Sequence, residues 1–341
     1  MPQSYFELEA QLKKTPHTWL VTGAAGFIGS HLCQRLLSLG QAVIGLDNFA
    51  TGSHANIEAI RTEVGQAASR RFTFIEADVG RADVLAALPE DVGFVLHQAA
   101  LGSVPRSIEK PLASHQANVD GFVSILEFCR NRKIPLVYAS SSSVYGDHPS
   151  LPKIEGSEGN LLSPYAATKA INELYADVWH RTYQLPLIGL RYFNVFGPRQ
   201  DPRGAYAAVI PRWLSCVQDC KSCLINGDGQ TSRDFCYIEN VIQANILSAC
   251  AEPEAFGRVY NIACGERTTL RELHDLLWQF GKDFGLCPTI QPPVLQDFRA
   301  GDVRHSLADV SLAQQLLGYR PAVSFVDGLR ALVRTAAGMK S

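Results

Sequence analysis

The segment Thr22-Gly23-Ala24-Ala25-Gly26-Phe27-Ile28-Gly29 decides the fold of this chain. It follows a short apolar run at 19–21 and opens a periodic apolar stretch over 27–39, which predicts a strand, a tight glycine turn and a helix. The glycines allow the sharp turn and leave the first N–H groups of the helix free to bind an anion. The segment therefore predicts a phosphate-binding turn, with a plain tight turn as the alternative.

Further short apolar runs follow at 42–46, 72–75, 94–96, 136–139 and 187–190, and most are separated by enough residues for a helix. Strands that are apolar throughout and alternate with helices indicate a parallel sheet covered on both faces. We therefore predict an α/β fold with a doubly wound parallel sheet of the Rossmann type. Ligands of such sheets bind beyond the carboxyl ends of the strands.

The second predicted strand ends at Leu46-Asp47, about 20 residues beyond the glycine turn. A carboxylate at this position can accept hydrogen bonds from the hydroxyls of an adenosine ribose, and it repels a 2′-phosphate. The combination favours NAD over NADP. A loop carboxylate without a ligand is the alternative for Asp47.

Tyr165 and Lys169 lie one helical turn apart in Tyr165-Ala-Ala-Thr-Lys169, downstream of a serine run at 140–143. On one face of a helix, the ammonium can favour the ionised form of the phenol. Lowering the phenol pKa from about 10 to about 7 requires roughly 4 kcal/mol, to which a cationic nicotinamide ring nearby could contribute. Together with the glycine turn, the pair predicts a nicotinamide-dependent redox site.

The overall composition is that of an ordinary soluble protein of 341 residues, with 46% hydrophobic residues and a formal charge of −2. No basic excess is available to hold a nucleic acid or an anionic membrane. The amino terminus is acidic where a secretory signal would be basic and apolar, and no run of 18 apolar residues occurs. We expect a cytoplasmic protein without a nucleic-acid or membrane partner.

The nine cysteines are scattered, which is not typical of a disulfide framework, so we expect free thiols. Cys216, Cys220 and Cys223 share a helical face and raise the possibility of a metal or redox site. No fourth ligand of the expected type lies close in sequence, and we predict no metal site.

With these residues in view, the sequence resembles the extended short-chain dehydrogenase/reductase family, and within it the nucleotide-sugar 4-epimerases. The resemblance covers nearly the whole chain and rests on motifs that come in the family's order. These are the glycine turn, Asp78-Val79, His97-Gln-Ala-Ala100, Ser141-Ser-Ser-Val-Tyr-Gly146, Tyr165-x-x-x-Lys169 and Arg191-Tyr-Phe-Asn194. Epimerases of UDP-N-acetylhexosamines also share Leu101-Gly-Ser-Val-Pro-Arg-Ser107, Gly204-Ala-Tyr-Ala-Ala-Val209 and Gly301-Asp-Val-Arg-His-Ser306.

The resemblance implies a catalytic role for Ser141, with Tyr165 as acid and base and Lys169 on the nicotinamide ribose. A shift of the catalytic serine by one residue remains an alternative. The cofactor residues that it implies for NAD, held tightly and regenerated in each turnover, are Gly23, Gly26, Phe27, Ile28, Asp47, Asn48, Phe49, Thr51, Gly52, Asp78, Val79, Gln98, Ala99, Ala100, Asn118, Lys169 and Tyr192. The substrate residues that it implies are Ser103, Arg106, Ser142, Ser143, Asn194, Ala208, Val209, Asn226, Arg233, Arg299, Asp302 and Ser306.

The expected organisation is a short amphipathic helix in residues 1–15 and two lobes. The NAD-binding Rossmann domain comprises 16–200 and about 236–263, and a smaller α/β lobe that binds the UDP-sugar comprises about 201–235 and 264–341. The family's long helices, here near 112–131 and 164–183, form a four-helix bundle between subunits, so the resemblance implies a homodimer.

The residues next to Ser141 favour epimerisation over the related reactions of the family. Dehydratases of the family carry an Asp-Glu pair where this chain has Ser142 and Ser143, and decarboxylases carry a glutamate near the serine. Between Lys110 and Glu155 the only glutamate is Glu127, which belongs to a predicted helix away from the strand end. A 4-keto sugar formed here would simply receive its hydride back.

The predicted substrates are UDP-GlcNAc and UDP-GalNAc, because Ser306 stands where family members restricted to unsubstituted hexoses carry a tyrosine. The uronic acids of these sugars are a further possibility, with Arg106 as the partner of a 6-carboxylate, and UDP-glucose and UDP-galactose should react weakly. Two alternatives stay open. One is a net NAD-dependent oxidoreductase acting on a nucleotide sugar, and the other is a dormant NAD-sensing or scaffold protein.

Overall fold

The computed structural model describes residues 2–202, 207–298 and 303–339. In chain order its strands are β1 (Thr18–Thr22), β2 (Ala42–Asp47), β3 (Phe72–Glu76), β4 (Val92–His97), β5 (Leu136–Ser141), β6 (Leu187–Tyr192), β7 (Val195–Phe196), β8 (Leu224–Asn226), β9 (Ser232–Arg233), β10 (Cys236–Tyr237), β11 (Arg258–Ile262), β12 (Thr268–Thr269) and β13 (Val294–Gln296).

The α-helices are α1 (Tyr5–Leu12), α2 (Phe27–Ser38), α3 (His54–Ser69), α4 (Ala82–Ala86), α5 (Val104–Glu109), α6 (Pro111–His115), α7 (Gly121–Arg132), α8 (Pro164–Tyr183), α9 (Val209–Gln218), α10 (Ile238–Ala249), α11 (Leu270–Asp283), α12 (Ser311–Leu317) and α13 (Phe325–Ala336). A π-helical turn at Gln116–Asp120 joins α6 to α7, and 3₁₀ turns lie at Ser142–Tyr145 and Pro253–Ala255. None of the helices in the described ranges is long and apolar enough to cross a membrane. The cytoplasmic location stays a prediction.

The central sheet has seven parallel strands in the order β11-β6-β5-β4-β1-β2-β3. The doubly wound fold predicted from the apolar runs is confirmed. Strand order reverses between β1 and β4, so a crevice opens there at the carboxyl ends of the strands. All six residues of β6 are buried, as expected for an interior strand of a parallel sheet.

The smaller elements form pairs of two or three residues per strand. β7 pairs with β10, β8 with β13, and β9 with β12, and all six strands follow β6 in the chain. One apolar core extends from residues of α1 through the central sheet into α11 and α13, so the two predicted lobes share packing. The lobe boundaries remain a prediction.

Two capping boxes mark helix starts that the sequence indicates. Ser4 and Glu7 close the start of α1, whose Leu8 and Leu12 are buried, and Thr269 and Glu272 close the start of α11. In each case the hydroxyl accepts an N–H of the first turn and the glutamate returns to the cap residue. The predicted amino-terminal helix is therefore a packed part of the fold.

Candidate active site

The glycine turn brings main-chain atoms together at the carboxyl end of β1. Gly23 has a φ of +69°, and a Cβ at this position would lie 2.8 Å from the Ala99 nitrogen. A Cβ on Gly29 would lie 2.0 Å from the Gly23 oxygen. Helix α2 begins directly after Gly26, which has no side chain to cap its first N–H groups. The cradle fits a pyrophosphate, because these N–H groups and the helix dipole favour an anion.

Asp47 ties the end of β2 to this turn. Its carboxylate accepts the Ala25 N–H at 3.0 Å and the Phe49 N–H at 2.7 Å. Burial raises the pKa of Asp47, and these backbone hydrogen bonds oppose the rise. Carboxylate oxygens have further lone pairs, so the group can still accept a ribose hydroxyl. Asp47 thus holds the end of β2 against the glycine turn, in addition to its predicted role in binding the ribose.

The predicted cofactor residues after β2 and β3 lie against one another. Asn48 donates to Asp78 at 2.7 Å, which joins the ends of the two strands. A Cβ on Gly52 would lie 2.7 Å from the Cβ of Ala25, so the loop after β2 packs closely on the glycine turn. Thr51 belongs to the same loop, and Val79 is buried beside α7.

A second network lies behind the ends of β1, β4 and β6. The Thr22 hydroxyl contacts His97 Nδ1 at 2.8 Å, and burial lowers the pKa of His97 to about 3. The Tyr192 hydroxyl donates to Gln98 Oε1 at 3.1 Å and accepts from Asn245 Nδ2 at 2.9 Å. A neutral imidazole and a buried amide–phenol cluster thus support the strand ends that carry Gln98 and Ala99.

Tyr165 lies in the first turn of α8, next to the end of β5. Ser163 caps the helix, and the Ser107 hydroxyl accepts the Tyr165 N–H at 2.9 Å. Ser141 is the last residue of β5 and lies near enough to Tyr165 to lower the phenol pKa, and its hydroxyl accepts a hydrogen bond from the Ser143 hydroxyl at 3.0 Å. The fold therefore places the predicted catalytic serine and tyrosine next to each other.

Lys169 is buried one turn along the same helix, and its ammonium donates to the Ala139 carbonyl at 2.7 Å. Burial lowers the pKa of Lys169 to about 8, against the opposing field of Glu173. Burial also raises the pKa of Tyr165, and the nearby Ser141 hydroxyl offsets only part of that rise. The prediction of a lowered phenol pKa is wrong for these residues alone, because desolvation outweighs the neighbouring groups.

Asn118 comes from the π-helical turn and holds the segment after β4. Its side-chain oxygen accepts the Leu101 N–H at 2.7 Å, and its amide donates to Thr168 at 3.1 Å. Thr168 directly precedes Lys169. The predicted cofactor residue Asn118 thus connects the loop that begins at Ala100 with α8.

A cavity of about 680 Å³ lies beyond the sheet, between that loop and the smaller elements. Six of the predicted substrate residues line it, namely Ser103, Asn194, Ala208, Val209, Asn226 and Arg233. Its described lining does not include four others, namely Arg106, Ser142, Ser143 and Ser306. Arg299 and Asp302 lie outside the described residues.

Asp234 holds the wall of this cavity from behind. Its carboxylate accepts the N–H groups of Cys264, Gly265 and Ala308 at 3.0 to 3.2 Å, and burial raises its pKa to about 7. Arg233 donates from one nitrogen to the Ser232 carbonyl at 2.9 Å. A single carboxylate thus joins three segments that are distant in sequence.

Sequence reasoning missed several residues of the site. Ser107 is the last residue of the motif Leu101-Gly-Ser-Val-Pro-Arg-Ser107. Glu173 lies four residues beyond Lys169, and this helical spacing could have indicated it. No local signal marks the residues that complete the cavity lining and come from separate elements, which include Trp213, Thr231, Phe298 and Arg304.

The cysteines provide one correction. The structure joins Cys220 to Cys287 in a disulfide across 67 residues, with the Cα atoms 5.5 Å apart. Cys216 and Cys223 are free, so the expectation of free thiols is wrong for one pair. The pairing depends on the packing of α9 against α11, which the spacing of the cysteines does not reveal. No group of His, Cys, Asp or Glu that could hold a metal occurs within the described ranges.

The fold and the serine, tyrosine and lysine at the strand ends define a nicotinamide-dependent enzyme of the Rossmann class. Residues 19–263 match the model of the NAD dependent epimerase/dehydratase family, and the chain belongs to that family. The chain is 34% identical to a UDP-glucose 4-epimerase of Mycolicibacterium smegmatis over 91% of its own length and 95% of that protein.

Two solved structures are similar over most of the chain. A UDP-N-acetylglucosamine 4-epimerase of Methanobrevibacter ruminantium, in complex with UDP-N-acetylmuramic acid, is 36% identical with a TM-score of 0.85 and covers 95% of this chain and 99% of its own. A UDP-glucuronic acid 4-epimerase of Bacillus cereus, in complex with UDP-glucuronic acid and NAD, is 32% identical with a TM-score of 0.80 and covers 93% and 98%. Members that resemble this chain thus act on different UDP-sugars.

Proposed function

We propose that this protein is an NAD-dependent 4-epimerase that interconverts UDP-GlcNAc and UDP-GalNAc. The observation that carries the proposal is the placement of Tyr165 and buried Lys169 on α8 beside Ser141, at the edge of the sheet that also carries the glycine turn. A base that can take the proton of a sugar hydroxyl, a hydroxyl that can orient the substrate and a cation that favours the ionised base come together here. The similar proteins named above support a UDP-sugar as the substrate class.

Tyr165, Ser141 and Lys169 together carry out proton transfer at the sugar 4-hydroxyl. Tyr165 as phenolate takes the hydroxyl proton, and Ser141 donates a hydrogen bond that holds the two oxygens together. NAD, when bound, supplies a positively charged ring that accepts the hydride from C4 and later returns it. Return to the opposite face of the 4-keto sugar inverts C4, while Tyr165 gives its proton back to the same oxygen. No net oxidation results.

The ionised form of Tyr165 needs positive charge nearby, because burial alone favours the neutral phenol. Lys169 is the buried cation of this chain's own site, and its ammonium is fixed by the Ala139 carbonyl. The charge on Lys169 is lost as pH rises through about 8. We therefore expect activity to fall on the alkaline side of that value.

Substrate choice rests on Ser306 and on the absence of an acid beside Ser141. Ser142 and Ser143 provide hydroxyls where elimination of water would need carboxyl groups, which supports simple return of the hydride. A serine at position 306 leaves room for a 2-acetamido group. We also propose that UDP is held by Arg233 and Arg299, since planar guanidinium groups bind pyrophosphate oxygens in pairs.

The direct test is proton NMR of the anomeric signals while purified protein acts on UDP-GlcNAc without added NAD. Growth of UDP-GalNAc signals to a steady ratio is expected and would also demonstrate a resident cofactor. Accumulation of NADH with a keto product on added NAD would instead identify a net oxidoreductase. Absence of turnover on UDP-GlcNAc, UDP-glucose and UDP-uronic acids, with or without NAD, would leave the dormant scaffold.

We further propose a homodimer built on α8 and the α6–α7 helix. Leu112, Leu174 and Val178 are exposed on these helices, and apolar side chains in such a row are commonly covered by a second subunit. Light scattering coupled to gel filtration should give twice the chain mass of 37.3 kDa. Leu174→Glu should lower that mass, whereas a monomeric parent protein would contradict the proposal.

A further inference from the structure

Glu173 connects the catalytic helix to two strands of the central sheet. Its carboxylate accepts the Ser140 hydroxyl on one side and two N–H groups of Arg191, at 2.9 and 2.7 Å, on the other. Arg191 is buried at the end of β6 and also pairs with Glu158. Three elements therefore meet at one carboxylate, directly behind the catalytic residues.

Both catalytic neighbours of Glu173 are within its reach. Ser140 immediately precedes Ser141, so a bond from Glu173 to the Ser140 hydroxyl restrains the end of β5 that presents Ser141. Lys169 lies four residues before Glu173 on one face of α8, and the negative charge of Glu173 favours the protonated ammonium. The same carboxylate acts on both the position of the serine and the charge of the lysine.

The charged and titratable groups around Lys169 come from three elements. Tyr165 and Glu173 share its helix, His97 lies at the end of β4, and Arg191 lies at the end of β6. His97 is neutral because burial holds its pKa at about 3, and Arg191 is bound to Glu173 itself. Glu173 is thus the anion that lies one helical turn from the ammonium, on the same face of α8.

We propose that Glu173 is a positioning residue for the reaction, which orients Ser141 through Ser140 and provides the buried negative charge beside the Lys169 ammonium. The kinetic test of this role rests on the proposed function. The effect of Glu173 on the ionisation of Lys169 can be measured in the protein without any reaction. A purely structural carboxylate would stabilise Arg191 without moving the titration of Lys169.

The test is Glu173→Gln, which keeps the shape of the side chain and removes its charge. The alkaline limb of the kcat/KM profile should move to lower pH by about 1 unit or more, the usual effect of a nearby opposite charge. Carbon-13 NMR of labelled lysine side chains should report the same shift for the Lys169 signal, assigned by its loss in Lys169→Arg. An unchanged Lys169 titration in Glu173→Gln would overturn the proposal.

Glu127→Gln is the matched control, because Glu127 also binds an arginine through two N–H groups, those of Arg130, and accepts a third bond from Trp179. It should leave both titrations unchanged. Glu173→Gln leaves the buried Arg191 with Glu158 as its remaining carboxylate partner, which should lower the stability of the fold. If it does not fold, the double variant Glu173→Gln/Arg191→Met removes the Arg191 charge, and its Lys169 signal should still titrate below the wild-type pH.

The NMR titration separates this proposal from the proposed function. A wild-type protein without epimerase activity would refute the function, while the Lys169 titration would still decide the role of Glu173. If the wild-type protein is active and neither the Lys169 titration nor the alkaline limb shifts in Glu173→Gln, only the positioning role is refuted.

Discussion

The two halves of the site are built from different material. The cofactor half consists of main-chain atoms at the ends of β1, β2 and β4, where Gly23 and Ala99 approach too closely for any side chain. The substrate half consists of side chains from short strands, helices and loops that are distant in sequence, and Asp234 ties several of these segments together. A backbone cradle tolerates almost no change, whereas a wall of side chains can change its specificity without losing its fold.

The largest effect is expected for a substitution of Tyr165, which we propose acts at the reacting hydroxyl, between the cofactor half and the substrate half. Tyr165→Phe removes the proposed acid and base, and we expect turnover to fall by about 10²–10⁴-fold or more, while the NAD released from the denatured protein stays unchanged. Tyr175→Phe on the exposed face of the same helix is the control and should keep full activity. An active Tyr165→Phe protein would refute the assignment.

A single methyl group added at Gly23 should disrupt the cofactor half. Gly23→Ala adds a Cβ at a φ of +69° and 2.8 Å from the Ala99 nitrogen, which should cost roughly 2–4 kcal/mol of folding free energy and release NAD. Gly40→Ala is the control, because Gly40 has a φ of +82° in open space and should cost only about 1–2 kcal/mol. Equal losses of stability in the two variants would contradict a cradle of close main-chain contacts.

The substrate half should depend on Asp234 in a pH-dependent way. Asp234→Asn replaces one of the two oxygens that accept backbone N–H groups by an NH₂ donor and should cost about 1–3 kcal/mol of stability. Burial raises the folded pKa of Asp234 from 3.8 to about 7, so the folded state favours the protonated acid. Its contribution is therefore complete below pH 3.8 and declines as pH rises toward 7. Denaturant titrations of both proteins at several pH values should show that decline, and a difference that grows with pH would contradict it.

The smallest expected effect tests the specificity of the substrate half. Ser306→Tyr should shift the preference from UDP-N-acetylhexosamines toward UDP-glucose by about 1–3 kcal/mol, measured as the ratio of kcat/KM values. Stability and NAD content should stay at the parent values, in contrast to Gly23→Ala. Ser311→Tyr, at the start of α12, provides a control for added bulk. Unchanged selectivity in Ser306→Tyr would count against the assignment of this position.

Much of the cofactor half could be predicted because its signals are local. The glycine turn, the acid at position 47 and the apolar strands are separated by a single strand or helix, and the central sheet has the predicted form. The burial of Tyr165, which raises the phenol pKa in the chain alone, was not predicted, because four-residue spacing on a helix reveals a neighbour but not the degree of burial. Residues such as Phe298 line the cavity without a local pattern that indicates their role.

By itself, the sequence determined the doubly wound sheet, the glycine turn and membership of the NAD dependent epimerase/dehydratase family, since turn geometry and strand periodicity depend on residues close in the chain. Only the tertiary structure decided that Glu173 meets Ser140 and Arg191, and that Cys220 meets Cys287. Such contacts depend on how whole elements pack. Burial also arises only there, and it controls the pKa values of Tyr165 and Lys169.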